Sequence, residues 1–287
     1  MQSILKKKIN LFDNNFAHAQ GQLGFDACGL KEPKYIEWTR NNINWQEGIT
    51  VFTDYSCYEN VVDKVNSKIK IAWLQESPAL SPQIYVNFHH VSHKFDYVFT
   101  NIFIDNLSLK EREKIIIFPM AGSWLEPIHY TNKTKLISAI FSPKNYLPGH
   151  MLRKEVERKF KYDNKIDFFG KEHVFIENKK DGLYDYMYSI TIENFKINNF
   201  FTEKLIDCLL SKTIPIYYGP DNIGEYFNKE GIIQFDSIEE LKHILDNINQ
   251  EVYTKKIKAV EENYIKSLEY QITDDRFIHE LEKRGLI

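Results

Sequence analysis

The stretch that leaves this chain least choice of fold is residues 184–220, YDYMYSITIENFKINNFFTEKLIDCLLSKTIPIYYGP. Residues 188–192 form a short run of β-formers that ends in the pair Glu193 and Asn194. A polar loop over 195–201 follows and carries the turn formers Asn198 and Asn199. Thr202 suits a helix N-cap, and Leu205, Ile206, Leu209 and Leu210 behind it fall on one helical stripe. Residues 214–218 read as a second strand, closed by Gly219 and Pro220. Strand, helix and strand at this spacing predict a βαβ unit with parallel strands and a right-handed crossover.

The chemistry of such a unit lies where the first strand hands over to the helix. A helix N-terminus offers unpaired N–H groups and a partial positive charge, which suits phosphate. Lys204 adds a full charge in the first turn. Glu203 would repel a phosphate but can accept hydrogen bonds from a diol such as a ribose. The group is suited to a nucleotide diphosphate carrying a sugar. Locally, a capped surface helix with two solvated charges would show the same pattern.

Ile192, Glu193 and Asn194, then Phe200, Phe201, Thr202, Glu203, Lys204 and Leu205, then Ile214 to Gly219 resemble the signature of the family 10 fucosyltransferases. That family's pattern runs Phe-Glu-Asn, a short loop, Tyr-x-Thr-Glu-Lys, a helix and a Pro-Val-x-x-Gly strand. The likeness covers residues 135–250 well and the N-terminal half faintly. Ile192 stands where the family has Phe, and Phe200 where it has Tyr, so a hydroxyl that relatives use for hydrogen bonding is missing. The resemblance implies a GT-B architecture, with two doubly wound α/β domains facing each other across a cleft. It implies an inverting transferase that moves a sugar, L-fucose from GDP-fucose, to a hydroxyl of a glycan or glycolipid acceptor. Asn194, Phe200, Thr202, Glu203 and Lys204 are then donor-binding residues.

The remaining composition is compatible with this reading. The 287 residues leave room for two domains, and 43% hydrophobic and 14% aromatic content can fill two cores. A net charge of −3 gives no global basic field for nucleic acid, and no nucleic-acid partner is expected. Cys28, Cys57 and Cys208 have no disulfide or metal spacing and read as idle or buried thiols in a reducing compartment. Residues 1–20 have a basic cluster at Lys6, Lys7 and Lys8 but no long apolar run. Neither a leader nor a membrane span is predicted, and a cytoplasmic chain with peripheral membrane contact at most is expected.

In the first half, residues 9–12, 50–53, 69–74, 97–100 and 115–119 read as strands, and 36–42, 81–90 and 109–114 as helices. Such alternation predicts a mainly parallel sheet, which binds ligands at the carboxyl ends of its strands. Glu76 lies at such a place, in Gln75, Glu76 and Ser77, where a carboxylate can take the proton of an attacking hydroxyl. Relatives carry Gly-Glu-Asn there, and the resemblance implies that Glu76 is the catalytic base. His89, His90 and His93 have no acidic or cysteine partner of metal-site spacing and read as a surface cluster. Residues 118–124, FPMAGSW, form a loop suited to lining a cleft.

A break at 127–134 reads as the linker, giving domains over 1–133 and 134–270 and a final helix over 271–287 that crosses back to the first. In the second domain 135–141 reads as a strand, 150–160 as a helix, 165–170 and 231–235 as strands and 237–247 as an amphipathic helix. Residues 251–287 read as a long charged helical segment. Arg153 matches a family arginine that contacts the donor diphosphate, where a guanidinium fork can grip phosphate oxygens. Ser142 and Lys144 after one strand, and Tyr218 and Gly219 at the end of another, complete the expected donor set. The charged loop 171–181 offers no chemistry. There is no DxD, so no nucleotide-bound metal and no cofactor is expected. Two other readings fit the same residues: a transferase for another GDP-sugar, and a sugar-nucleotide-binding protein without catalysis. An epimerase is disfavoured by the absence of a GxGxxG.

Overall fold

The computed structural model describes residues 5–13, 31–129 and 132–287. Cys28 and the rest of 14–30 lie outside the described residues. The chain divides into two compact units, Met1–Met120 with Ile272–Ile287, and Ala121–Gln271.

The first unit is built on a six-stranded sheet in the order β2-β1-β3-β4-β5-β6. Its strands are β1 (Lys7–Phe12), β2 (Ile36–Arg40), β3 (Ile49–Thr53), β4 (Ile69–Leu74), β5 (Tyr97–Thr100) and β6 (Ile115–Ile117), all paired in parallel. The short helices α1 (Val61–Lys64), α2 (Pro82–Val86) and α3 (Leu109–Arg112) lie between them. Successive strand residues point to opposite faces, and both faces are apolar, as a covered parallel sheet requires. Phe12, Phe52, Ala72, Leu74 and Val98 fill one core. Leu11, Val51, Ile71, Trp73 and Phe99 fill the other.

Two expectations for this unit are corrected. Residues 36–42 are not a helix, because Ile36–Arg40 pairs in register with β1, Ile36 opposite Lys7 and Trp38 opposite Ile9. The apolar residues Ile36 and Trp38 alternate with period two, and tertiary pairing outweighs the local helical reading. Residues 81–90 form no single helix. After α2 the chain passes into separate 3₁₀ turns, Phe88–His90 and Ser92–Lys94, so His89 and His93 share no helix face.

The second unit carries a five-stranded sheet in the order β11-β10-β9-β7-β8. These are β7 (Lys135–Ile140), β8 (Ile166–Phe169), β9 (Tyr186–Ile192), β10 (Ile214–Tyr218) and β11 (Ile233–Gln234), again all parallel. β9 is central, and all seven of its residues are buried. The predicted βαβ unit is present, with α5 (Glu203–Leu210) between β9 and β10 and Ile192 in register with Tyr218. Leu205, Ile206, Leu209 and Leu210 are buried in one cluster with Tyr217 and Ile223.

α4 (Pro148–Phe160) and α6 (Ile238–Asn247) contribute to the core of the opposite face, where Val156, Phe160, Leu241 and Leu245 join Tyr188, Ile190 and Ile216. The expected long helical segment after 251 is three helices: α7 (Gln250–Lys255), α8 (Ile257–Ser267) and α9 (Thr273–Lys283).

α9 belongs to the first unit, where Phe277 stacks on Trp73 at 4.5 Å between ring centres. Asp275 accepts from the backbone N–H groups of Lys34 at 2.8 Å and Tyr35 at 3.1 Å, and Asp274 accepts from the Trp38 indole. The acidic pair thus fastens this helix to the strand beneath it. No helix among the described residues is long and apolar enough to cross a membrane.

Candidate functional site

The carboxyl end of β9 is shaped by a carboxylate that does not face a ligand. Glu193 is fully buried and accepts from the Thr202 N–H at 2.9 Å, the Thr202 hydroxyl at 2.7 Å and the Tyr217 hydroxyl at 3.2 Å. It therefore ties the loop 195–201 shut and fixes where α5 begins. Thr202 caps that helix, accepting from the Lys204 N–H at 3.4 Å. The backbone at Glu193 and Asn194 also meets the start of α4. A Cβ on Gly149 would stand 1.8 Å from the Glu193 carbonyl oxygen, so only glycine fits there. Its N–H donates to the Asn194 carbonyl at 3.0 Å.

Together these elements surround a cavity of about 480 Å³ in the second unit. Ser142, Lys144, Arg153, Asn194, Glu203 and Lys204 of the expected donor set all line it. Phe200, Thr202, Tyr218 and Gly219 are not among its lining residues. Phe200 is buried, Thr202 is occupied with Glu193, Tyr218 packs on Phe235, and Gly219 lies against the Tyr217 ring. Five cations (Lys144, Arg153, Lys171, Lys179, Lys204) and three carboxylates (Glu177, Glu203, Asp207) line the cavity, so its walls favour an anion.

Arg153 is buried and donates from Nη2 to the Ile192 carbonyl and to Asn194 Oδ1, the latter at 2.8 Å. Burial lowers its pKa, opposed by the charges of Glu193 and Glu203. Lys204 Nζ lies 2.9 Å from Thr202 Oγ1, 3.2 Å from Glu203 and 3.5 Å from Glu193. Burial pushes the Glu203 carboxyl up, but Lys204 and Lys179 outweigh it and hold the group at about 2. His150, in the first turn of α4, accepts from the Leu147 N–H at Nδ1 over 3.3 Å. Burial and the nearby charges of Arg153 and Lys144 lower its pKa.

Sequence reasoning missed three residues here. Lys179, from the loop read as featureless, lines the cavity and bonds Asp207 at 2.8 Å. Asp207 is itself buried on α5, one turn after Glu203. In the sequence His150 stands out only as the start of a helix. The i, i+4 spacing of Glu203 and Asp207 was the available signal, but their shared cation comes from a distant segment.

Glu76 lies in the first unit, just past the end of β4. Asp54 accepts from the N–H groups of Gln75 at 2.8 Å and Glu76 at 3.3 Å, and the Tyr85 hydroxyl donates to the Glu76 carbonyl at 2.5 Å. Asp54 holds φ at +42°, a left-handed conformation unusual for a non-glycine residue, which marks this turn as strongly determined by its surroundings. Among the described residues no group of three or more His, Cys, Asp or Glu side chains forms a metal site.

Three comparisons with known proteins bear on this arrangement. Residues 130–271 match the model for the glycosyltransferase family 10 (fucosyltransferase) C-terminal region. The alpha-(1,3)-fucosyltransferase FucT of Helicobacter pylori is 30% identical over 73 residues, which span 25% of this chain and 15% of that protein.

Among solved structures, an alpha1,3-fucosyltransferase with GDP-fucose superimposes with a TM-score of 0.58 at 16% identity, covering 89% of this chain and 82% of the other. The lipopolysaccharide outer core galactosyltransferase WaaB gives 0.53 at 8% identity, covering 96% of this chain and 100% of the other. The fold is α/β of the GT-B type. The stretch that matches the family 10 glycosyltransferase (fucosyltransferase) model, residues 130–271, contains every residue lining the cavity.

Proposed function

We propose that this chain is an inverting glycosyltransferase that takes a sugar, L-fucose, from a GDP-linked donor and places it on a hydroxyl of a glycan or glycolipid. The observation that carries the reading is that Arg153, Lys204 and the start of α5 line one cavity at the carboxyl ends of parallel strands. The donor diphosphate binds there. Arg153 already spends Nη2 on Ile192 and Asn194, and the rest of its guanidinium fork serves the phosphates. Glu203, charged at neutral pH, accepts from the ribose hydroxyls.

In the reaction Glu76 takes the proton of the acceptor hydroxyl, and the freed oxygen attacks the anomeric carbon. The bond from that carbon to the β-phosphate oxygen breaks, and GDP departs from the opposite face. Arg153 and Lys204 offset the charge that grows on the leaving oxygen. The step asks for no metal and no cofactor.

Incubation of the full chain with GDP-fucose and a panel of glycan acceptors is expected to release GDP and yield an inverted product. Glu76→Gln is expected to keep donor affinity and lose on the order of 10²–10⁴ in turnover. Wild-type turnover by that variant would overturn the base assignment.

A further inference from the structure

Lys179 occupies a place that neither phosphate binding nor proton transfer explains. It opens the 3₁₀ turn Lys179–Gly182, whose N-cap Asn178 accepts from the Lys180 N–H at 3.1 Å. Gly182 packs so closely on β7 that an added Cβ would stand 2.9 Å from the Ile140 side chain. The next residue's carbonyl accepts from the Thr213 hydroxyl at 2.9 Å. The root of the lysine is therefore fixed. Its ammonium reaches the cavity wall between two carboxylates of α5, at 2.8 Å from Asp207 and 4.0 Å from Glu203.

These carboxylates stand one helical turn apart on the cavity side of α5, and without a shared cation they would repel. The Asp207 side chain is 1% exposed and also accepts from the Trp124 N–H at 2.9 Å, so it cannot turn to solvent. Glu203 retains 20% side-chain exposure and faces whatever fills the cavity. Asp207 is thus the anchor, Lys179 the bridge and Glu203 the working end.

We propose that Lys179 is a positioning residue that makes this cavity selective for ribonucleotides, by holding Glu203 in the orientation that accepts hydrogen bonds from a vicinal diol. The inference rests on the donor site described above and names a second layer of it. Lys204 also pairs with Glu203, at 3.2 Å, but it is shared with Thr202 and Glu193, and of the two lysines Lys179 is the one that bonds Asp207 as well. A ligand with one hydroxyl fewer leaves a fixed carboxylate without its donor, which is the costly outcome for a polar group in a cavity.

The test is calorimetric titration of the full chain with GDP and with 2′-deoxy-GDP. The wild type is expected to prefer GDP by on the order of tenfold or more, the worth of a hydrogen bond to a charged group. Lys179→Met is expected to bring the two ligands to near parity while still binding GDP through Arg153 and Lys204. Lys179→Arg, which keeps the charge and can bridge both carboxylates, is expected to restore the preference.

Asp207→Asn supplies an independent arm, since loss of the anchor's charge is expected to reduce the preference while Arg153 and Lys204 remain in place to bind GDP. A Lys179→Met chain that keeps the full preference overturns the inference, as does a wild type that binds both ligands equally. A wild type that binds neither nucleotide overturns the donor-site reading itself.

Discussion

At the scale of single residues, the site separates two neighbouring glutamates into different tasks. Glu193 is sealed under the helix start and bonds Thr202 and Tyr217, whereas Glu203, ten residues later in sequence, lines the cavity. The sequence marks both positions equally, and burial is what tells them apart. Arg153 illustrates the same dependence on context. Its hydrogen bonds to Ile192 and Asn194 lock the guanidinium to the strand end, so charge and shape both matter. Arg153→Lys keeps the charge and loses the fork. A drop of about 10² in kcat/KM for the GDP-sugar, with little change in thermal stability, is the expected result. Steady-state kinetics beside a melting curve would check it.

At the scale of elements, the βαβ unit was legible because every local cue agreed: β-formers before Glu193, a cap at Thr202, one apolar stripe on the helix and a β-rich run after it. β2 was not legible, because a five-residue edge strand with Trp38 and Thr39 in it carries too little periodicity to resist a helical reading. Lys179 and Asp207 were hidden for another reason, since their contact joins segments 28 positions apart.

Lys133 performs a similar structural joining. It is buried and donates to the carbonyls of Leu183 at 3.3 Å, Tyr184 at 2.7 Å and Ser211 at 2.5 Å, and to the Thr213 hydroxyl at 3.1 Å. The turn before β9 and the turn after α5 are thereby held on one ammonium. Burial lowers its pKa from 10.5 to about 7, so the unfolded chain binds this proton more tightly than the folded one. Its contribution to stability therefore rises with pH between about 7 and 10.5, and the penalty is fully present below that window. Lys133→Met removes this slope and strips four acceptors of their donor. Urea unfolding is expected to show a loss of about 1–3 kcal/mol at pH 7 and a flatter pH profile up to pH 9. An unchanged slope would contradict this role.

At the scale of the whole molecule, the two units differ in how far the sequence identifies them. Residues 130–271 carry the family match and the whole of the cavity. Outside those residues the likeness to solved structures is one of fold, at 16% identity to the alpha1,3-fucosyltransferase with GDP-fucose over 89% of this chain. The parallel sheet of the first unit was predictable from strand and helix alternation, and the fastening of α9 through Phe277 on Trp73 was not, since it is a pairing of distant aromatics.

The central claim is that the cavity at the start of α5 binds a GDP-linked sugar. It is tested most directly by melting curves of the full chain with GDP-, UDP- and CMP-sugars at matched concentrations. A ligand present at 100 times its Kd is worth about 2.7 kcal/mol to the folded state, a rise of about 5 °C or more. The expected result is such a rise with GDP-fucose, absent with the UDP- and CMP-sugars and abolished by Arg153→Met. A rise with none of them, or one that Arg153→Met leaves intact, would contradict the claim.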